Sequence, residues 1–174
     1  NFFLINGATL SIDRSTLNNA ASLHKIRFTG TGSTVTLTNS ITYNGSPARY
    51  AIYLIAGNTA TVYNNTLYDG TNLGRAIYSE GAVLFRNNIV EGMAQGAVVT
   101  EAGAAASTFT NNCWFDNDFN YPNEDVSDIT DITSDPLLTN PITDFSLQTG
   151  SPAISAGVDV GLRNDFTGST FEPR

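Results

Sequence analysis

Thr34-Val35-Thr36-Leu37-Thr38 and, 25 positions later, Thr59-Ala60-Thr61-Val62-Tyr63 decide the fold. Both alternate small or polar residues with apolar ones, the period of a strand that buries one face. Thr, Val, Ile and Tyr are the residue types that suit a pleated, half-buried surface. The pattern recurs along the chain. Leu10-x-Ile12, Val35-x-Leu37, Ala60-x-Val62, Val83-x-Phe85 and Ser107-x-Phe109 align, with their second members 25, 25, 23 and 24 residues apart. A fixed interval in the range of roughly 20–50 residues marks a repeat architecture.

A turn follows two positions after each second member, at Arg14-Ser15, Asn39-Ser40, Asn64-Asn65, Asn87-Asn88 and Asn111-Asn112. Asparagine suits these corners because it tolerates left-handed backbone and its amide bonds nearby backbone groups. Stacked Asn amides also bond to one another along an axis. A second strand is predicted in each unit, at Ile26-Arg27-Phe28, Ala51-Ile52-Tyr53-Leu54, Ala76-Ile77-Tyr78 and Ala97-Val98-Val99, followed by Gly30, Gly57, Gly81 and Gly103. Residues 8–118 carry no sustained i, i+3, i+4 apolar periodicity, which argues against βαβ and helical repeats. The expected fold is all-β: a parallel β-solenoid of about five coils, each strand pairing with its equivalent one turn along at about 4.8 Å.

The apolar-x-apolar-x-Asn-Asn units over residues 8–118 resemble right-handed parallel β-helix repeats of the pectate-lyase-like superfamily. The later segments Asn111-Asn112-Cys113-Trp114-Phe115, Ser134-Asp135-Pro136-Leu137-Leu138 and 144–157 resemble the closing segment of exported bacterial β-helix proteins. That resemblance implies an extracellular or cell-surface setting. It leaves activity open, because such folds carry lyases, hydrolases, phage spikes and non-catalytic surface proteins alike.

The 174 residues fit one domain, with coils over residues 1–118 and an irregular, loop-rich, acidic tail or cap over 119–174 packed on them. With 41% hydrophobic and 14% charged residues, the chain is neither a disordered polyelectrolyte nor a membrane protein. Eight basic against sixteen acidic residues give a formal charge of −8, which repels a phosphate backbone and argues against nucleic acid as partner. No apolar run approaches the ~18 residues that span a bilayer. The lone Cys113 has no partner for an internal disulfide, and no Cys/His zinc spacing is present. The chain begins at Asn1 rather than Met and reads as a processed product, with Asn1-Phe2-Phe3-Leu4-Ile5 forming another strand.

Candidate chemistry is sparse. Asp116-x-Asp118-x-Asn120 resembles the first half of a calcium loop, but Tyr121 takes the glycine position and Ser127 that of the bidentate glutamate. An EF-hand is excluded; a looser calcium site is weighed against a solvated acidic cover. No other cofactor is expected. A polysaccharide lyase needs cations to neutralise a uronate, a base and an acid. Lys25 and Arg75 recur at the 25/50/75 interval with Arg49 beside them, and Glu80 and Glu101 lie on neighbouring coils. Against this stands the ordinary use of long charged side chains at corners, where they are solvated. A hydrolase needs carboxylates from adjacent coils, for which Asp69 and Glu91 are permissive, although both sit in turns before glycine. His24, without a stacked Ser or Cys, reads as a surface residue.

Aromatic residues are better ordered. Phe28, Tyr53 and Tyr78 recur at 25-residue steps, as do Tyr43 and Tyr68. With Ile52 and Ile77 inward, Tyr53 and Tyr78 point outward, to stack on sugar rings, to form a protein interface, or simply to pack as a ladder. Asn44-Gly45-Ser46 and Asn64-Asn65-Thr66 match glycosylation sequons by chance as readily as by design. The leading expectation is a non-catalytic, exported structural or interaction protein, self-assembling head to tail through its solenoid end or binding glycan on the aromatic flank. A lyase or hydrolase acting on acidic polysaccharide is second, and a viral spike or capsid-decoration protein third.

Overall fold

A computed structural model describes residues 3–18, 24–43 and 49–170. Three strands make each rung. The first rung has β1 (Phe3–Ile5), β2 (Thr9–Asp13) and β3 (Thr16–Asn18). The second has β4 (Ile26–Phe28), β5 (Thr34–Thr38) and β6 (Ile41–Tyr43), and the third β7 (Tyr50–Leu54), β8 (Thr59–Tyr63) and β9 (Thr66–Tyr68). The fourth has β10 (Arg75–Ser79), β11 (Ala82–Arg86) and β12 (Ile89–Glu91). The fifth has β13 (Gln95–Val99), β14 (Thr108–Thr110) and β15 (Cys113–Phe115), with one short helix, α1 (Glu101–Ala105), inserted between its first two strands. Equivalent strands pair in parallel into three five-stranded sheets, β1-β4-β7-β10-β13, β2-β5-β8-β11-β14 and β3-β6-β9-β12-β15. Five rungs are thus joined by four complete turns.

The column read from sequence is present: Ile12, Leu37, Val62, Phe85 and Phe109 stand in register on the second sheet and are all buried. Ile26, Ile52, Ile77 and Ala97 form the inner column of the first sheet. The inner column of the third sheet is Leu17, Thr42, Leu67, Val90 and Trp114. This third sheet follows each Asn corner and went unread in the sequence, because three-residue strands such as Ile41-Thr42-Tyr43 are too short to display alternation.

The corner asparagines divide the work. Arg14, Asn39, Asn64, Asn87 and Asn111 all have φ between 46° and 57°, the left-handed bend that Asn accepts. The following residues point inward and build a ladder. Ser40 N–H donates to Asn65 Oδ1, Asn65 N–H to Asn88 Oδ1 and Asn88 N–H to Asn112 Oδ1, each at 2.9–3.0 Å. Their Nδ2 groups donate back to the carbonyls of Leu37, Val62 and Phe85.

The tail closes the fifth rung and then returns along the solenoid. Phe119 bridges Gln95 and Ile132 bridges Cys113, so a partial sixth rung lies over the end, with Tyr121 and Val126 packed on the core. Asp131 terminates the ladder by accepting from Asn112 N–H at 2.8 Å, while its other oxygen accepts from Trp114 Nε1 and the Tyr121 hydroxyl. A hairpin of β16 (Leu138–Asn140) and β17 (Asp144–Leu147) follows. The chain then runs back over the Asn corners: Asn111 Nδ2 donates to Ala156 O, and Asn87 exchanges two hydrogen bonds with Val158. Leu162, Arg163 and Asn164 end beside Asp13 and Thr38.

Candidate functional site

The outer face of the first sheet carries one axial row in register: Leu4, Arg27, Tyr53, Tyr78 and Val98. Strand alternation places it there, because the neighbouring residues of each strand supply the inner column. At its centre the Tyr53 and Tyr78 rings stack with centroids 4.7 Å apart and planes 11° from parallel. The Arg27 guanidinium lies 5.8 Å from the Tyr53 ring centre. Next to the row, the buried Tyr50 ring lies 5.8 Å from Tyr53 and 5.6 Å from Tyr78, and Arg75 sits 5.3 Å above it.

His24 completes the cluster. Its ring is 5.8 Å from Tyr50 and 4.8 Å from Tyr53, and its Nδ1 accepts the Tyr50 backbone N–H at 3.0 Å. It is therefore a half-buried anchor rather than a loose surface residue. Burial, reinforced by the charges of Arg49 and Arg27, lowers its pKa to about 4, so it is neutral at pH 7. At the far side, the Tyr78 hydroxyl donates to Glu80 Oε1 at 2.6 Å, a bond that, with burial, raises the Tyr78 pKa well above its ordinary value. Glu80 Oε2 accepts from Ala56 N–H, so that carboxylate is held by the corner of the preceding rung.

Several sequence expectations change here. Lys25 is not a solvated corner residue: it is fully buried, its pKa lowered to about 8 by burial and partly restored by Asp69. The Lys25, Arg49 and Arg75 edge thus keeps only its two arginines near the surface. Phe28 leaves the aromatic row. It is 1% exposed and points into the core, because the register between the second and third rungs pairs Ile26 with Ile52 and Arg27 with Tyr53, a step of 26 rather than 25. Tyr43 and Tyr68 do pair, at 5.7 Å, but on the third sheet, where Tyr68 is buried and the tail's Phe145 meets it edge-on at 6.0 Å.

Asp69 and Glu91 are neighbours on adjacent rungs through their backbones, with Asp69 N–H donating to Glu91 O. The Asp69 carboxylate is fully buried in its own turn, accepting from Thr71, Leu73 and Gly74. Glu91 faces outward beside Asp116 and Asp135. Burial first, then those two charges, raises its pKa to about 7. Around Asp116, Asp118 and Asn120, Asn72 Nδ2 donates to Asp116 O and Asp118 Oδ1, and Asn120 Oδ1 accepts from Asn117. Among the described residues no group of three or more His, Cys, Asp or Glu side chains is placed to hold a metal. Glu101 opens α1. Asn64 of the second sequon is a corner residue bonded to Asn39, and Asn44-Gly45-Ser46 lies outside the described residues. No helix among the described residues is long and apolar enough to cross a membrane.

Sequence reasoning found Tyr53 and Tyr78 but missed Tyr50, Arg27 and His24 as their partners. The available signal was the neighbourhood of arginines 27, 49 and 75 in a chain of net charge −8.

Stacked parallel rungs with laddered asparagines and a basic, aromatic outer row define a parallel β-solenoid that presents a repeated surface. The family described as the right handed beta helix region matches residues 1–127, and the chain belongs to it. Comparison with curated proteins and with solved structures finds no match.

Proposed function

We propose that this chain is a non-catalytic β-helix protein of the cell exterior that binds polysaccharide along the Arg27–Tyr53–Tyr78 row. The observation carrying this reading is the stacked tyrosine pair flanked by Arg27, Arg49, Arg75 and neutral His24. The stacked ring pair makes a rigid apolar shelf against which a sugar can pack, and arginines offer paired donors to carboxylates. Arginines gathered on one face of an acidic chain favour a ligand carrying negative charge. Burial of Lys25 and the internal bonding of Glu80 support binding over lysis, because both groups are withdrawn from a substrate lying on the row.

The test is affinity electrophoresis and calorimetry with oligogalacturonate or alginate oligomers, set against a neutral glucan. Retardation by the acidic glycan, lost in Tyr53→Ala and weakened in Arg27→Ala, is the expected outcome. Equal retardation of both variants and the wild type sinks the site. Release of unsaturated product from alginate or pectin sinks the non-catalytic reading. The same proposal includes head-to-tail association through the first rung, which sedimentation velocity reads directly.

A further inference from the structure

A different face carries the further inference. On the second sheet, the outward positions of the first three rungs are Thr9, Thr34 and Thr59 in one column and Ser11, Thr36 and Thr61 in the next. All six side chains are hydroxyls, and all are exposed or half-buried. The register is unbroken across these rungs, residue for residue. Hydroxyls therefore repeat at about 4.8 Å from rung to rung and about 6.7 Å along each strand.

Strand propensity explains a threonine at any one of these sites. It does not explain six hydroxyls in register without one charge, in a chain where acidic residues outnumber basic ones two to one. The platform is rigid as well. Val35, Leu37, Ala60 and Val62 beneath it are buried at 2% exposure or less. Within the outer column, Thr34 and Thr59 share a hydroxyl–hydroxyl bond of 3.1 Å that fixes their rotamers. The tail's Leu162, Arg163 and Asn164 line a shallow groove with Ser11 and Thr36 of the second column and with Asp13 and Thr38 beyond it, while the Thr9, Thr34 and Thr59 column is exposed.

Such a grid suits a ligand that is itself a lattice. Each hydroxyl gives one donor and two acceptor positions, and each threonine adds a methyl that orders the water beside it. Oxygen rows in hexagonal ice repeat at nearly the rung spacing in one direction and at a somewhat longer interval across it. Crystalline polysaccharide is the other periodic solid of this scale, but sugar sheets are gripped by stacked aromatic rings. On these three rungs the aromatic residue of this face is Tyr63, at its edge. We propose that the Thr9–Thr61 grid of the second sheet binds ice.

The intact chain is tested by partition into a slowly growing ice hemisphere and by microscopy of single ice crystals. The variants are Thr36→Lys with Thr61→Lys, which place charged side chains on the grid, and Tyr53→Ala on the other face. Circular dichroism and Trp114 fluorescence confirm that each is folded. Wild type and Tyr53→Ala are expected to enter the ice and facet the crystals, with both effects lost in the double lysine variant. Exclusion of the wild type from ice overturns the proposal. So does equal entry of the lysine variant, and so does retention on microcrystalline cellulose with none on ice. Because Tyr53→Ala abolishes glycan binding alone, failure on ice and failure on glycan are separate results.

Discussion

Asn88 donates both its backbone N–H and its side-chain Nδ2 to a single oxygen, Asn112 Oδ1, at 3.0 and 3.1 Å. The same side chain accepts from Asn65 N–H and Nδ2 and donates to Val62 O. All of these groups are buried, so the ladder substitutes for water at a corner where β-sheet bonding is interrupted. Asn88→Ala leaves two donors on Asn65 and the Val62 carbonyl short of a partner. The expected cost is roughly 2–4 kcal/mol, read as a lower urea midpoint at unchanged m-value. Asn88→Asp retains the acceptor but opposes a carboxylate to the Val62 carbonyl, and it is expected to be destabilised more at neutral than at acid pH.

Asp131 extends that logic to the end of the rod. Its carboxylate does for Asn112 what Asn112 does for Asn88, and it also holds Trp114 and Tyr121, whose rings meet at 5.0 Å. Asp131→Ala is expected to loosen the partial sixth rung before the rest. The chain's one tryptophan reports this directly, as a red shift and easier quenching at denaturant concentrations where far-ultraviolet dichroism is still native. A single coincident transition at both probes would contradict an end cap with its own local stability.

Thr42 is the misfit of the third sheet's inner column, standing between Leu17 and Leu67 with its hydroxyl buried and without a hydrogen-bond partner among the described residues. A buried hydroxyl lacking a partner costs free energy that a methyl of the same shape does not. Thr42→Val is expected to stabilise the chain by about 1 kcal/mol, a rise of roughly 2–4 °C in Tm for a chain of this size.

The parts of this fold legible in the sequence are those where a strand is long enough to alternate and a corner needs a particular backbone. β5, β8 and β11 each run five residues, and Asn39, Asn64 and Asn87 each sit at positive φ, so both features repeat at a readable interval. β6 and β9 run three residues and carry no period. The aromatic row was half legible. Tyr53 and Tyr78 keep the 25-residue step, but the connection before the third rung is one residue longer, which turns Phe28 inward and brings Arg27 out. Burial of Lys25 depends on what surrounds a corner in three dimensions, and spacing along the chain carries no such information.

Two titrating groups oppose each other in their effect on stability. Glu91 has its pKa raised from 4.5 to about 7, chiefly by burial and further by Asp135 and Asp116, so the folded state keeps a proton that the unfolded chain releases across that range. Its contribution is present below pH 4.5 and is lost as pH rises through about 7. His24 has its pKa lowered from 6.5 to about 4, so the unfolded chain takes up a proton that the folded state refuses. Its contribution is present above pH 6.5 and is lost as pH falls toward 4. Between pH 4.5 and 6.5 the two slopes have opposite sign, and wild-type stability is expected to change little there. Glu91→Gln removes one arm. That variant is expected to gain stability steadily from pH 4 to 6.5 and then level off, exceeding wild type by on the order of 2–3 kcal/mol near pH 8. Urea titrations at intervals across this range give the comparison, and parallel curves for the two proteins would show that Glu91 ionises in the folded chain as an ordinary carboxylate.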